Sequence, residues 1–79
     1  MKPRFRQITY DDADQAGLVG YDTDRTGLSA ANAWVFMQRA MGRDGIKSSQ
    51  IRGVTDWYLT EDSQTYRIRT FWIDDRSTP

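Results

Sequence analysis

Aspartates form the densest group of chemically active side chains in the sequence. Five of them lie within the segment 11–27, DDADQAGLVGYDTDRTG, which carries no basic residue before Arg25. They are Asp11, Asp12, Asp14, Asp22 and Asp24. Clustered carboxylates attract a partner rich in lysine and arginine and compete with the phosphates that such a partner holds. These five residues are our first candidate for a partner-binding site, although a solvated charge run that keeps the protein soluble has the same composition.

Arginines and aromatic rings form a second group towards the C-terminus. In the segment 65–73, TYRIRTFWI, alternate positions hold Arg67, Arg69 and Phe71, and Tyr58 precedes them. Alternate residues of a strand share one face. Such a face can stack the bases of single-stranded nucleic acid, can bind a protein, or can lie in solvent beneath long arginine side chains. Eleven basic and eleven acidic residues cancel, which argues against general nucleic-acid binding.

Few side chains in this sequence are of the types that commonly act in catalysis. There is no His and no Cys, so imidazole bases, thiol nucleophiles and the common catalytic triads are missing. A pair of aspartates does acid–base work only in a concave, partly buried site that shifts a pKa. We therefore expect a protein that is not an enzyme and has no small-molecule substrate.

The segment 22–27, DTDRTG, resembles the start of an EF-hand calcium loop. Asp22 and Asp24 take the first and third positions of that loop, and Gly27 takes the sixth. The twelfth position is Ala33, where the loop requires a bidentate glutamate. An Asp-rich turn leading into a helix is the preferred interpretation, and we expect no metal or other cofactor.

One segment has the period of an amphipathic α-helix. Residues 29–42, SAANAWVFMQRAMG, place small and apolar side chains on one stripe, which we expect to face the core. The stripe consists of Ala30, Ala33, Trp34, Met37, Ala40 and Met41. Ser29 suits the N-cap position, and Gly42 or Gly45 suits the end of the helix.

The strands are predicted from β-branched and aromatic composition. Residues 2–10 are expected to form one strand, and residues 54–60 and 65–73 are expected to form a hairpin. The segment 11–27 is expected to be mostly loop, with room for one helical turn and a short strand around Val19.

Together these elements predict an α+β fold with one main amphipathic helix packed on one face of a three- or four-stranded, mainly antiparallel sheet. The sheet face expected to contact the helix carries Trp57, Leu59, Tyr66, Ile68 and Trp72. The arginine and aromatic group is then expected on the opposite, exposed face. We expect one domain, 1–79, with its core in 3–73 and a frayed polar tail at 74–79.

The termini and composition also bear on location. The N-terminal sequence MKPRFRQITY lacks an apolar signal segment, and no apolar run reaches the about 18 residues of a membrane span. The absence of Cys suits a reducing compartment. We expect a protein of the cytoplasm with no membrane partner.

The chain as a whole resembles a known class of phage protein. It is short, has no Cys or His, is rich in aromatic residues, carries the acidic segment DDADQAGLVGYDTD before one helix, and closes with an arginine and aromatic hairpin. Across all 79 residues this is similar to the small phage-encoded anti-CRISPR proteins that inhibit type I (type I-C) CRISPR-Cas effector complexes.

That resemblance implies a non-enzymatic viral protein that acts in the host bacterial cytoplasm. It would bind subunits of the type I effector complex, Cascade, and disturb the binding of target DNA. Two routes are open. Either the five aspartates occupy a lysine and arginine groove meant for DNA, or the Tyr58 and Phe71 side binds the complex and leaves the arginines to hold DNA without sequence preference. A small phage module that binds single-stranded nucleic acid is the alternative function.

Overall fold

The computed structural model describes residues 4–23 and 30–77 and has the predicted α+β architecture. In chain order the main elements are α1 (Tyr10–Gln15), β1 (Val19–Asp22), α2 (Ala30–Asp44), β2 (Ile51–Glu61) and β3 (Gln64–Ile73). The strands form an antiparallel sheet in the order β1-β3-β2. Short 3-10 turns cover Ser48–Gln50 and Asp75–Ser77. One main helix on a three-stranded antiparallel sheet confirms the predicted fold class.

The C-terminal hairpin is the longest part of the sheet. Glu61 pairs with Gln64, so only Asp62 and Ser63 form the connection. Both have positive φ angles, 52° and 64°, as in a type I′ turn, whose twist matches that of the flanking strands. Because β1 pairs only with residues 70–73 of β3, residues 56–69 extend beyond it as a two-stranded arm. We call this segment the hairpin arm.

Helix α2 follows the predicted stripe and ends later than Gly42. Ala33, Met37, Ala40 and Met41 are buried, and Trp34 is half-buried, which confirms this part of the stripe. The helix ends before Gly45, whose φ of +71° is the left-handed conformation that favours glycine. The Ile46 amide then donates to the Met41 carbonyl at 2.9 Å, which satisfies one of the last carbonyls of the helix. The predicted N-cap, Ser29, lies outside the described residues.

The predicted N-terminal strand is wrong in most of its length. The Ile8 amide donates to Val54 and the Val54 amide donates to Arg6, at 2.9 and 2.8 Å, but this parallel contact is a single bridge centred on Gln7. A Cβ at Gly53 would lie 2.7 Å from the Arg6 carbonyl, so the close approach requires glycine. Beyond this bridge the hydroxyl of Thr9 caps α1, and the chain becomes helical.

Near the C-terminal end of β3 the sheet is covered on both faces. The prediction that α2 contacts the face carrying Trp72 is wrong. Helix α2 packs on Val54, Phe71 and Ile73, whereas Trp72 points to the other side. There the Tyr10 ring of α1 meets Trp72 edge-on, with 5.0 Å between ring centroids. Alternation separates the two faces of a strand but does not say which of two apolar faces the main helix covers.

The C-terminal segment is also more ordered than predicted, up to Arg76. The Asp74 amide donates to the Gln50 carbonyl at 2.9 Å, and the Asp74 carboxylate binds Arg76 at 3.1 Å and Arg52 at 3.7 Å. These bonds fix the residues that follow β3. The predicted frayed tail is therefore wrong for the first part of 74–79, and residues 78–79 lie outside the described residues.

Candidate partner-binding surfaces

Three of the five predicted aspartates lie on a short helix, which agrees with the one helical turn expected in the segment 11–27. Asp11, Asp12 and Asp14 belong to α1 and are exposed, while Ala13 between them is fully buried. The amide of Asp12 donates to Thr9 Oγ1 at 3.1 Å, so Thr9 caps the helix. Carboxylates in a first helical turn are favoured by the helix dipole. Within the described residues none of the three makes an ion pair.

Asp22 lies on the same side of the sheet as α1 and is held by Thr70. Thr70 Oγ1 donates to Asp22 Oδ1 at 2.6 Å and accepts from Trp57 Nε1 at 3.0 Å. The Tyr10 hydroxyl lies 3.0 Å from the same oxygen. Since the one hydroxyl proton of Thr70 goes to Asp22, Tyr10 must donate. Asp22 is thus two hydrogen bonds away from α1, and Asp24 lies outside the described residues.

A second tryptophan–threonine bond crosses the hairpin beside the first. Trp72 Nε1 donates to Thr55 Oγ1 at 2.8 Å, and Thr55 donates to the Ile8 carbonyl. Thr55 and Thr70 are cross-strand partners, so the two indoles bond diagonally to a pair of facing threonines. Every buried side-chain nitrogen and oxygen of the described residues has a partner. On this side of the sheet the buried polar groups thus bond to one another in a network, which α1 and its aspartates cover on the outside.

The members of the second predicted group, Tyr58, Arg67, Arg69 and Phe71, differ in burial and in their partners. Phe71 is fully buried against α2, so its predicted place on an exposed face is wrong. Arg69 binds Asp56 through two bonds, Nε to Oδ1 at 2.7 Å and Nη2 to Oδ2 at 2.9 Å. Arg67 reaches the same carboxylate at 3.1 Å. Arg67 is exposed, and so is Tyr58, with 70% of its surface in solvent.

Asp56 is the residue that sequence reasoning missed in this group. It is the cross-strand partner of Arg69 and shares its face with Arg67. Hydrogen bonds from Arg69 and then Arg67 lower the pKa of the Asp56 carboxyl to about 2, against the opposing effect of burial. The only signal in the sequence is the register of the hairpin, which depends on a two-residue turn that lacks glycine. The carboxylate neutralises much of the positive charge that nucleic acid would need.

The acidic residues at the hairpin tip belong to a different surface. Glu61 and Asp62 are exposed at the end of the arm. Gln64 and Thr70 lie six positions apart in β3, or about 20 Å at the usual rise of a strand. The molecule measures 45 × 27 × 22 Å, so the tip and α1 are remote from each other on this scale.

A cleft at the C-terminal end of α2 was not predicted. Its volume is about 290 Å³, and its lining consists of Val19, Tyr21, Asp44, Gly45, Ile46, Gln50, Ile73 and Asp75. Burial, and next the charge of Asp44, raise the pKa of the Tyr21 hydroxyl, and the charge of Asp75 adds to the rise. The lining comes from four separate parts of the chain, which is why no local pattern indicates it.

No protein-family model, curated protein or solved structure matches this chain. Within the residues that the structure describes, no cluster of three potential ligand side chains is arranged to hold a metal ion. The segment 22–27, which resembles the start of a calcium loop, lies mostly outside them, because residues 24–29 are not described. No helix in the described part of the chain is sufficiently long and apolar to cross a membrane.

Proposed function

We propose that this protein is a non-enzymatic anti-CRISPR inhibitor that binds a type I CRISPR-Cas effector complex, Cascade, in the cytoplasm of the host bacterium. The contact surface is the acidic side formed by Asp11, Asp12, Asp14 and Asp22. Asp24, the fifth candidate from the sequence, lies outside the described residues. The observation that carries the proposal is the exposure of three α1 carboxylates that have no ion-pair partner among the described residues.

The acidic side suits a groove built to hold a nucleic-acid backbone. Lysine and arginine side chains in such a groove lose their phosphate partners when carboxylates occupy it. The network beneath α1 supports this use, because Thr70 holds the Asp22 carboxylate and the Tyr10 hydroxyl ties α1 to the same Thr70 oxygen. A pre-ordered surface loses less conformational entropy on binding. The protein then excludes target DNA by occupying its site, without chemistry.

The charge distribution favours this route over direct contact with DNA. Asp56 engages both Arg67 and Arg69, while the α1 aspartates have no such partner among the described residues. The second candidate function, a module that binds single-stranded nucleic acid, is supported by Tyr58 and by Arg67, whose side chain is 44% exposed. It predicts retention of single-stranded DNA that weakens steeply with salt.

Co-elution with a purified type I-C effector complex tests the proposal. We expect the protein to bind and the triple variant Asp11→Asn/Asp12→Asn/Asp14→Asn to bind at least about tenfold more weakly, a change of about 1.4 kcal/mol or more. The matched control is Glu61→Gln/Asp62→Asn, which removes charge at the remote hairpin tip. Equal binding by the triple variant and the wild type would refute the acidic contact, and failure of the wild type to co-elute would refute the function.

A further inference from the structure

The cleft at the C-terminal end of α2 has the shape of a site for one side chain. About 290 Å³ is slightly below the about 300–1,000 Å³ of most small-molecule sites. Its walls include three apolar side chains, Val19, Ile46 and Ile73. A Cβ at Gly45 would meet no atom within 4 Å, so the chain does not crowd the cleft there. An alkyl stem fits such walls, provided that its polar end finds a partner.

The polar part of the lining is negative. Asp44 and Asp75 both border the cleft, as does Tyr21. Among the described residues, neither Asp44 nor Asp75 forms an ion pair. Arg76, the neighbour of Asp75 in the sequence, and Arg52 both bind Asp74. Arg43 and Lys47 flank the end of α2 in the sequence, but neither forms an ion pair with Asp44 or Asp75 within the described chain.

The end of the helix adds to this negative potential. The last carbonyls of α2 carry the negative end of the helix dipole, which favours a cation. Asp44, the last residue of α2, places a carboxylate where the dipole disfavours it. A residue that opposes a local stability rule is a frequent mark of a functional site.

From the cavity, its apolar walls and its carboxylates we infer that this cleft receives a single lysine or arginine side chain of the protein partner. The inference rests on the proposed function, in which the partner presents a basic surface. The alkyl stem lies against Val19, Ile46 and Ile73, and the ammonium or guanidinium group lies between Asp44 and Asp75. Tyr21 lines the same cleft and offers its hydroxyl as a further polar partner. The cleft thereby supplies a directional contact that the exposed aspartates of α1 do not.

A titration followed by NMR tests the chemistry of the cleft without the effector complex. The probes are N-acetyl-lysinamide and N-acetyl-argininamide, and N-acetyl-norleucinamide is the uncharged control with the same kind of stem. We expect saturable shifts of the Tyr21, Asp44 and Gly45 amides with a Kd of about 1–10 mM for the charged probes. The norleucine probe should leave these amides unshifted. Absence of saturable shifts, or equal shifts with the uncharged probe, would overturn the inference.

Variants separate binding from folding. Asp44→Asn/Asp75→Asn should weaken the charged probes at least tenfold and weaken co-elution with the effector complex. Its melting temperature should equal or exceed that of the wild type, because Asp44→Asn removes a negative charge from the end of the helix, where the dipole disfavours it. Tyr21→Phe should reduce probe affinity by a smaller factor. Loss of the native fold in the double variant would transfer this test to Tyr21→Phe, for which unchanged probe affinity would count against the inference.

Different results would refute the inferred role of the cleft and the proposed function. If the double variant loses probe binding but co-elutes as well as the wild type, the cleft binds cations and the assigned occupant is wrong. If the wild type binds the probes and does not co-elute with the effector complex, the proposed function fails and the occupant fails with it. If the probes do not bind and co-elution persists, the inference fails and the proposed function stands.

Discussion

Thr70 Oγ1 donates a 2.6 Å hydrogen bond to Asp22 Oδ1, and this bond joins the centre of the sheet to its acidic side. Thr70 is 1% exposed, so the donor lies in the interior while its acceptor is on an exposed residue. The same hydroxyl oxygen accepts from Trp57 and lies within hydrogen-bond distance of Tyr10. One buried hydroxyl thus links β1, the hairpin and α1.

The first prediction concerns this hydroxyl. Thr70→Val keeps the shape of the side chain and leaves the donors of Trp57 and Tyr10 without their acceptor, so it should cost about 1–3 kcal/mol of unfolding free energy. Thr70→Ser keeps the hydroxyl and removes one methyl group, at a cost of about 1 kcal/mol. Urea denaturation measures both. Equal stability of Thr70→Val and the wild type would show that the network contributes nothing to the fold.

The second prediction distinguishes the part of one sheet face that α2 covers from the exposed part of the same face in the hairpin arm. Phe71→Ala removes a fully buried ring under α2 and should cost about 3–5 kcal/mol, a large part of the stability of so small a domain. Tyr58→Ala, on the same face of the hairpin arm, should change stability by less than about 0.5 kcal/mol. Thermal melts of both variants measure the contrast. Similar losses would mean that the hairpin is packed differently.

The third prediction is a pH dependence that arises from Asp56. Its folded-state pKa, lowered to about 2 by Arg69, is below the ordinary value of 3.8 expected in the unfolded chain. Its contribution is therefore complete above pH 3.8 and is lost as the pH falls towards 2. Because the carboxylate is partly solvated, we expect about 1 kcal/mol.

Comparison with Asp56→Asn isolates this contribution. The variant should be less stable than the wild type at pH 7, and the two should converge near pH 2, as measured by urea denaturation across this range. A stability difference that does not change with pH would show that the ion pair is not its source.

The fourth prediction concerns the turn of the hairpin. Asp62 and Ser63 have positive φ angles, which cost energy for residues with a side chain. Asp62→Asn/Ser63→Gly installs the pair preferred in type I′ turns and should stabilise the protein by about 0.5–1 kcal/mol. The melting temperature checks this, with Ser63→Ala as the control that keeps the strain. A lower melting temperature for the Asn-Gly variant would contradict the assigned turn.

Much of the fold follows from local patterns in the sequence. The 3.6-residue period of the α2 stripe identifies the helix, because Met37 and Met41 fall on its buried side. The strands of the hairpin follow from their composition, and the α+β class follows from the two together. What alternation does not supply is the choice between two apolar faces. Phe71 and Trp72 are adjacent and both are buried, because α1 covers the second face.

The features of the candidate sites depend on contacts between distant parts of the chain. The sequence identifies the aspartates of α1 as a group. It does not show that Thr9 is the N-cap of the helix that carries them, or that a hydrogen bond from Thr70 holds Asp22 on the same side of the sheet. The neutralising role of Asp56 requires the hairpin register. The cleft requires β1, the end of α2 and the end of β3 to meet. No local pattern of residues predicts these contacts between distant segments.

The most direct measurement of the central claim is a mobility shift of target DNA on the type I-C effector complex in the presence of this protein. Our account predicts that increasing amounts of the wild type prevent the complex from binding target DNA, and that Asp11→Asn/Asp12→Asn/Asp14→Asn does not. An inhibited complex that still holds target DNA, or that retains target and non-target DNA alike, would contradict occupation of the DNA groove by the acidic side.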